Sequence, residues 1–290
     1  MCSKTQKLVG QRINRYAQGK GETMKKYSQK DYRDAVGEWI NVTTGRYGNK
    51  IRAVYAGGSF ARGDFVPGRS DIDLYVVVED RKEELQRDLQ REASEIEKKY
   101  FEELIPVFDE VLGVSVTTLQ EIQDGKSFLG AGFEYFNFIK EGELLWGEDL
   151  KALILKPSLR KQRESAEKYL DEVYRMVSNK ERGFKWLKWI PFKFVPKKNK
   201  VRWARQAFNL TFRTAALFLG SKGVYMSKKE EIVSAFRRYI REEELCSIIS
   251  FALSLWEKWK TNPLNDKETK QLLENSLKFV KGLQLLRGPT

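Results

Sequence analysis

The chain has 290 residues, enough for two ordinary domains, and 53 lysines and arginines against 40 aspartates and glutamates give it a formal net charge of +13. It contains no histidine, which excludes Ser-His-Asp triads, Cys-His nucleophiles and histidine-ligated zinc sites. The two cysteines, Cys2 and Cys246, are too few for a disulfide framework and too far apart for a paired-cysteine zinc motif. A reducing, cytoplasmic compartment is therefore expected.

No membrane-spanning or secretory segment is predicted. The N-terminal stretch is charged where a signal peptide would be apolar, and the longest apolar-rich run, residues 248–256, is far shorter than the ~20 residues that cross a bilayer. The chain also has 17 Phe, 12 Tyr and 7 Trp, which supply core material that disordered segments lack. We expect a soluble, folded protein.

The first half of the chain has the pattern of a mixed α/β layer. Apolar residues recur at helical spacing in two segments and form short β-rich runs in three, and Ser28 is placed to cap the first helix. The predicted order is helix, strand, strand, helix, strand, over residues 27–44, 51–56, 71–78, 81–101 and 107–118.

Beyond Gly147 the pattern becomes helical throughout. Apolar residues at three and four spacing predict five helices, at residues 158–177, 202–219, 229–239, 243–260 and 267–286. The predicted fold class is α+β, with a mixed-sheet domain at 1–150 that includes an N-terminal helical extension, followed by an all-α helical bundle domain at 151–290. The bundle is strongly basic: it holds 31 basic and 14 acidic residues, against 22 and 26 in residues 1–150. This division suggests that cations gather on the first domain and anions on the second.

A glycine turn after the first predicted strand has the features of an anion cradle. Gly57 and Gly58 end the strand, and Ser59 stands where a helix begins, as a predicted N-cap. Gly58 has no Cβ, so a phosphate can approach the backbone N–H groups closely, and a helix N-terminus adds partial positive charge. The chain contains no GxxxxGK[ST] sequence, so this cradle is not a P-loop.

Two acids open the second strand after a gap of 11 residues from Ser59. Side chains alternate along a strand, so Asp71 and Asp73 share one face, about 7 Å apart along the backbone. Two such carboxylates repel one another unless a cation lies between them, and Mg²⁺ prefers one or two carboxylates together with substrate phosphates. Alone, a Gly-Ser turn or a DxD strand start is usually structural; together, at this spacing, they predict a nucleotide and metal site.

Residues 57–77, GGSFARGDFVPGRSDIDLYVV, resemble the signature of the nucleotidyltransferase superfamily, which includes DNA polymerase beta, CCA-adding enzymes, aminoglycoside nucleotidyltransferases and minimal nucleotidyltransferases. The motif is nearest to the minimal and the antibiotic-modifying, kanamycin-type branches. Residues 134–150 are similar to the end of that catalytic domain, and residues 220–236 are weakly similar to the kanamycin-type bundle. The specific resemblance covers a small part of the chain.

The resemblance implies roles for several positions of this motif. The triphosphate would be held by Gly58 and Ser59, and two Mg²⁺ ions by Asp71 and Asp73. Arg62 is a further candidate for nucleotide binding, and the alternative is a structural ion pair with Asp64.

The sequence departs from the family at the third carboxylate, which these enzymes carry on the later strand and often use as general base. Gly113 or Ser115 stands where that acid is expected. Strand alternation places Asp109 on the same face, so it is the candidate third catalytic acid, whereas Glu110 is predicted to point the other way. Alternatively, the base comes from the bundle or from the partner subunit of a homodimer; the bundle candidates are Glu164 and Glu167.

These features predict an Mg²⁺-dependent nucleotidyltransferase that moves a nucleoside monophosphate from an NTP, with ATP as the commonest donor in the family, to a hydroxyl, releasing pyrophosphate. The acceptor is left open between a small molecule, a protein side chain and an RNA end. Two alternatives use the same scaffold: a nucleotide-binding regulatory or antitoxin-like partner with little turnover, and an RNA-binding module.

A basic, aromatic segment lies within the bundle half. From 182 to 205 the chain has nine lysines and arginines, six aromatic residues and no acid. This composition suits a single-stranded nucleic-acid track, a membrane-surface anchor, or a loop whose rings dock on the bundle while its cations are solvated.

Overall fold

The computed structural model describes residues 26–80, 83–105, 107–108, 110–124, 137–184 and 195–287. The strands are β1 (Ile51–Gly57), β2 (Ile72–Val78), β3 (Leu112–Thr118) and β4 (Glu143–Gly147). The helices among and before them are α1 (Gln29–Tyr47), α2 (Gly58–Arg62), α3 (Glu83–Phe101) and α4 (Leu119–Asp124). The later helices are α5 (Leu159–Phe184), α6 (Lys197–Ser221), α7 (Lys229–Tyr239), α8 (Glu243–Thr261) and α9 (Asp266–Arg287).

The four strands form one mixed sheet in the order β3-β2-β1-β4. β1 is antiparallel to both β2 and β4, and β2 is parallel to β3. In this register Asp73 lies opposite Gly57 of β1 and opposite Gly113 of β3. The sheet therefore brings the end of β1, the start of β2 and the start of β3 to one point.

Helix α1 forms where the sequence predicts it and for the predicted reason. Ser28 caps it in a capping box, in which the Asp31 carboxylate accepts a hydrogen bond from the Ser28 N–H at 2.7 Å. On its inner face Trp39 is fully buried, and the indole N–H donates to the Leu89 carbonyl of α3 at 3.3 Å. This contact joins α1 to α3 over one face of the sheet.

Helix α6 is the centre of the bundle and packs against α5, α7, α8 and α9. Its inner face buries Phe208, whose ring meets Trp256 edge-on at 5.4 Å between centroids. The bundle core is separate from the two cores on the faces of the sheet, but Val201 of α6 packs against both the bundle core and the α1–α3 side of the sheet. Bundle and sheet are therefore in direct contact.

The predicted α+β class and the mixed sheet are confirmed, while the prediction for β3 is wrong at its start. The strand begins at Leu112 rather than at 107, because the N–H groups of Val107 and Phe108 bond back to the Leu104 carbonyl and hold this stretch in a turn. The N–H groups of Val111 and Leu112 both donate to the buried Glu97 carboxylate at 2.6 Å. The Glu97 carboxylate, which belongs to α3, therefore caps the start of β3 and fixes its first residue.

Two short elements, α4 and β4, are absent from the sequence prediction, and α2 is predicted there only as a helix that begins at Ser59. They are five or six residues long, too short to show a periodicity. Within the part of the chain that the structure describes, no helix is sufficiently long and apolar to cross a membrane. The division into domains at 150/151 stays a prediction.

Candidate active site

A cleft of about 290 Å³ lies between the converging strand ends and the bundle. The sheet side contributes Gly58, Ser59, Arg62, Arg69, Ser70, Asp71, Asp73 and Tyr75. The bundle side contributes Arg205, Asn209, Phe212, Arg213, Ala216, Ser227, Lys229, Ile232 and Trp256. Five of the six site residues predicted from the sequence therefore come together in one cleft.

The glycine turn lies directly against one of the two predicted metal ligands. Gly58 has a φ of +62°, and a Cβ at this position would lie 2.5 Å from Oδ2 of Asp73. A larger residue would therefore be both strained and in collision with the carboxylate. The backbone at Gly58 and the Asp73 carboxylate are held in close proximity because this residue has no side chain.

Ser59 is not the N-cap of the helix that follows. The cap is Gly57, which makes no side-chain hydrogen bond, and Ser59 lies in the first turn of α2 and lines the cleft. The expectation fails because α2 begins two residues earlier than a serine cap at this position requires. Since α2 has only five residues, its dipole adds little, and binding of a phosphate here depends on backbone N–H groups and the Ser59 hydroxyl.

Asp71 and Asp73 both line the cleft and are both partly buried. β2 begins at Ile72, so Asp71 immediately precedes the strand and Asp73 is its second residue. Asp71 accepts a hydrogen bond from the Arg205 guanidinium of α6. The bundle therefore contacts one of the two predicted metal ligands directly.

Arg62 forms two ion pairs on the wall of the cleft. Its side chain is only 9% exposed, with Nε 3.2 Å from Asp64 Oδ1 and Nη1 3.3 Å from Glu141 Oε2. Glu141 also accepts a hydrogen bond from the hydroxyl of Ser227, a residue of the bundle half that lies between α6 and α7. The structural pairing with Asp64 that the sequence allows is present, and a phosphate-binding role for Arg62 stays a prediction.

The position opposite Asp73 on β3 carries no acid. It is Gly113, as the sequence suggested, and Asp109 lies outside the described residues. The prediction for Glu110 is wrong: a Cβ at Gly113 would lie 3.9 Å from Glu110 Oε2 and 3.9 Å from Asp73 Oδ1, so both carboxylates flank Gly113. Glu110 precedes β3, which starts at Leu112, so the alternation of side chains along the strand does not determine where the Glu110 side chain points.

The bundle acids proposed as bases are not at the cleft. Glu164 forms an exposed ion pair with Arg160 at 2.7 Å, and Glu167 is exposed on the same helix, α5. Neither belongs to the described residues that line the cleft.

Sequence reasoning missed the cationic wall that the bundle presents. Arg205, Asn209 and Arg213 follow one another at intervals of four along α6, so they share one face of the helix, and that face lines the cleft. A signal in the sequence could have identified them. These polar residues recur every four positions in a part of α6 whose other residues are mostly buried.

Lys229 at the start of α7 is the other missed residue. Its ammonium lies 4.0 Å from the ring centroid of Trp256 and 5.8 Å from that of Phe212. Burial lowers the pKa of Lys229 to about 8. Charged neighbours act in both directions: the acids Asp64 and Glu230 raise this pKa, and the cations Arg62 and Lys260 lower it.

The basic aromatic segment is described only in part, since residues 185–194 lie outside the described chain. In the remainder, Trp203 of α6 is 9% exposed. Lys200 pairs with Asp266 of α9 at 2.7 Å. Residues 197–205 form the start of helix α6, whereas the third interpretation expects a loop with solvated cations, and the role of the whole segment stays a prediction.

Comparison with known proteins decides the family of the first half. Residues 45–142 match the family model described as nucleotidyltransferase domain. Residues 45–142 form a nucleotidyltransferase domain. For these residues the match confirms the superfamily, and with it the nucleotidyltransferase class, that the sequence predicts. The matched range contains the glycine turn, both aspartates and Glu110.

Among solved structures, the chain is similar to spectinomycin adenyltransferase AAD(9) from Enterococcus faecialis, solved with ATP and spectinomycin. The two are 13% identical with a TM-score of 0.52, over 88% of this chain and 100% of that one, which shows a shared fold. A toxin-antitoxin structure with AMP-PNP is 15% identical over 53% of this chain and 97% of the other, with a TM-score of 0.25, too low to indicate a common overall fold. No curated protein sequence matches the chain.

The nucleotidyltransferase domain presents a donor set that fits magnesium bound together with a nucleotide. Asp71 and Asp73 supply two carboxylates at one cleft, and no cluster of three or more potential metal-ligating acids or cysteines occurs among the described residues. Mg²⁺ uses one or two carboxylates plus substrate phosphates rather than an all-protein cage. The phosphates themselves would complete the coordination.

Proposed function

We propose that the protein is an Mg²⁺-dependent nucleotidyltransferase that transfers a nucleoside monophosphate from an NTP, ATP in the first instance, to a hydroxyl acceptor and releases pyrophosphate. One observation carries this proposal: Gly58, Ser59, Asp71 and Asp73 lie on one wall of a cleft whose opposite wall is cationic. Anion-binding and cation-binding groups face each other there, which is the requirement of a metal-nucleotide complex.

The triphosphate is assigned to the space between the glycine turn and the bundle. On one side the backbone N–H groups near Gly58 and the Ser59 hydroxyl are donors to phosphate oxygens. On the other side Arg213 and Lys229 supply positive charge. These cations stabilise the charge that develops on the leaving pyrophosphate, so they act on the transition state as well as on binding.

The metal is assigned to Asp71 and Asp73. Mg²⁺ bound by these two carboxylates would neutralise charge on the phosphate oxygens and lower the pKa of the acceptor hydroxyl. The chain's own contribution is to fix the two carboxylates: Asp73 is held beside Gly58 by strand pairing, and Asp71 lies at the entry to the strand. The acceptor oxygen attacks the α-phosphorus, the bond to the bridging oxygen breaks, and pyrophosphate leaves in line.

Glu110 is the acid we assign as general base. Glu110 is exposed and is not among the described residues that line the cleft, but its Oε2 and Oδ1 of Asp73 would each lie 3.9 Å from a Cβ at Gly113, so it is near a residue that does line the cleft. In the proposed reaction its carboxylate takes the proton of the acceptor hydroxyl. We expect Glu110→Gln to lower kcat about 100-fold, because general bases contribute roughly 10²- to 10⁴-fold, with little change in nucleotide affinity. Glu103→Gln, an exposed acid beyond α3, is the control. A kcat for E110Q within twofold of the unmodified protein would refute the assignment.

The charge of the cleft supports a neutral or anionic acceptor. Among the described lining residues the bundle side offers arginine, lysine, amide, hydroxyl and apolar groups but no carboxylate. Among these lining residues a polycationic acceptor would find Asp71 and Asp73, which the metal uses, and beyond them the single carboxylate of Glu110. We therefore infer that acceptors rich in amino groups, such as aminoglycosides, are poor substrates.

The proposal is tested by incubating the full chain with each α-³²P-labelled NTP, Mg²⁺ and acceptor fractions separated by charge. Labelled adduct and released pyrophosphate in equal amounts, with a neutral or anionic fraction, are the expected result. Tight binding of Mg-NTP with neither product across all fractions would instead support the regulatory, low-turnover alternative. Absence of Mg-NTP binding would refute both.

Lys229 makes nucleotide binding depend on pH. Its pKa of about 8 means that the ammonium is present at pH 7 and is lost as the pH rises through 8 to 9.5, so affinity for Mg-NTP falls across that range. The variant Lys229→Arg keeps its charge and is expected to show a flat profile. Lys229→Gln is expected to bind about tenfold more weakly than the unmodified protein at pH 7, the effect of one hydrogen bond to a charged group, and to approach the affinity of the unmodified protein at pH 9.5. Calorimetric titrations at pH 7, 8 and 9.5 measure this. Parallel profiles for the unmodified protein and K229R would contradict it.

A further inference from the structure

Arg205 connects the bundle to the predicted metal ligands. Its guanidinium donates from Nη2 to Oδ2 of Asp71, and its Cζ lies 4.4 Å from the ring centroid of Phe108. The Arg205 side chain is 13% exposed, while that of Asp71 is 41% exposed. The cation is thus held in place by an aromatic ring, and the carboxylate it pairs with remains open to the cleft.

We propose that Arg205 is the resident counter-ion of Asp71, which a metal ion must displace, and that the displaced guanidinium then binds the triphosphate. This inference rests on the proposed function. A carboxylate that pairs with a guanidinium binds Mg²⁺ more weakly, because the two cations repel one another. Arg205 thereby opposes binding of metal alone and favours binding of metal with nucleotide.

The second half of this proposal follows from the position of Arg205 on α6. It occupies the same face of the helix as Arg213, and both line the cleft that is assigned to the nucleotide. A planar guanidinium binds two phosphate oxygens at once, so one that leaves Asp71 has an alternative anionic partner only when a nucleotide is present. Metal and nucleotide are then expected to load together rather than one after the other.

The Asp71 contact is not needed to attach the bundle to the sheet. Arg69, in the loop before β2, lies 5.0 Å over the Trp259 ring and donates to the Asn262 carbonyl at 3.3 Å. Val201 packs against both the bundle core and the core on the α1–α3 side of the sheet. Loss of the Arg205 contact therefore leaves other ties between the two parts of the molecule.

The test compares the full chain with its Arg205→Gln variant in two measurements. The affinity for Mn²⁺ alone is measured from the electron paramagnetic resonance signal of free Mn²⁺. The affinity for Mg-ATP is measured by calorimetry. We expect R205Q to bind Mn²⁺ about fivefold more tightly, the effect of removing one partly exposed ion pair, and Mg-ATP about tenfold more weakly. An Arg205→Lys variant keeps the charge and should fall between the two proteins in both affinities.

The matched control is Lys229→Gln, which removes one positive charge from the same cleft while its ammonium contacts Trp256. It should weaken Mg-ATP binding and leave the affinity for Mn²⁺ alone within twofold. Asp71→Asn should abolish Mn²⁺ binding. If it does and R205Q still binds Mn²⁺ as the unmodified protein does, the counter-ion proposal is wrong while the metal site stands.

If Asp71→Asn leaves Mn²⁺ binding intact, the proposed metal site itself is wrong. Circular dichroism and thermal unfolding of each variant confirm that it is folded before its affinities are compared. A R205Q protein that is folded but weaker for both Mn²⁺ and Mg-ATP would show that Arg205 supports the site only structurally, and would also refute the proposal.

Discussion

Replacement of either cleft aspartate by asparagine should reduce nucleotidyl transfer about a thousandfold. Metal ions supply several kcal/mol of transition-state stabilisation, and each 1.36 kcal/mol corresponds to about tenfold in rate, so roughly 10³ is the expected loss. Asn keeps the shape of Asp but carries no charge, and so Asp71→Asn and Asp73→Asn remove the metal's charged ligand with the least change in packing. The measurement is single-turnover transfer of labelled nucleotide at saturating NTP.

The control for this experiment is Asp88→Asn on α3. Asp88 pairs with Arg91 at 2.8 Å and accepts a hydrogen bond from the Tyr47 hydroxyl of α1 at 3.2 Å, and it is outside the group of described residues that line the cleft. The D88N variant carries the same Asp-to-Asn change and should transfer the labelled nucleotide at the rate of the unmodified protein. Transfer by D71N or D73N within twofold of that rate would mean that these aspartates do not hold the catalytic metal.

The catalytic wall of the cleft was predictable because it is local in sequence. The glycine turn, Ser59 and both aspartates lie within 57–77, and strand alternation places the acids without any knowledge of the remainder of the chain. The predicted cap, Ser59, lies two residues after the observed cap, Gly57, which makes no side-chain hydrogen bond. Local pattern therefore predicted the members of the motif better than their detailed geometry.

The opposite wall could not be predicted in the same way. Arg205 and Asp71 are 134 residues apart, and their contact is set by how the bundle packs on the sheet. The start of β3 depends similarly on the buried Glu97 of α3, which bonds the N–H groups of Val111 and Leu112. Glu97 lies on another element, so the sequence around β3 does not show where the strand starts. Counting alternate residues back from Ser115 therefore gave a wrong orientation for the Glu110 side chain.

Gly58→Ala is expected to lower transfer about 100-fold. The added methyl group would lie 2.5 Å from Asp73 Oδ2, so the carboxylate has to move, and displacement of a reacting or ligating group by about 1 Å costs on the order of 10²-fold. The positive φ adds a separate penalty, about 1–2 kcal/mol in the free energy of unfolding for a residue with Cβ. Activity and stability should therefore both fall.

Gly63→Ala separates these two effects. Gly63 ends α2 with a φ of +78°, and a Cβ there has nothing within 4 Å, so this variant carries the backbone penalty without the collision. The two variants should lose a similar amount of unfolding free energy in urea titrations, while only G58A loses transfer. Equal loss of transfer in both would assign the effect to backbone strain in α2, and unimpaired transfer in G58A would mean that the placement of Asp73 against the glycine turn is not required for catalysis.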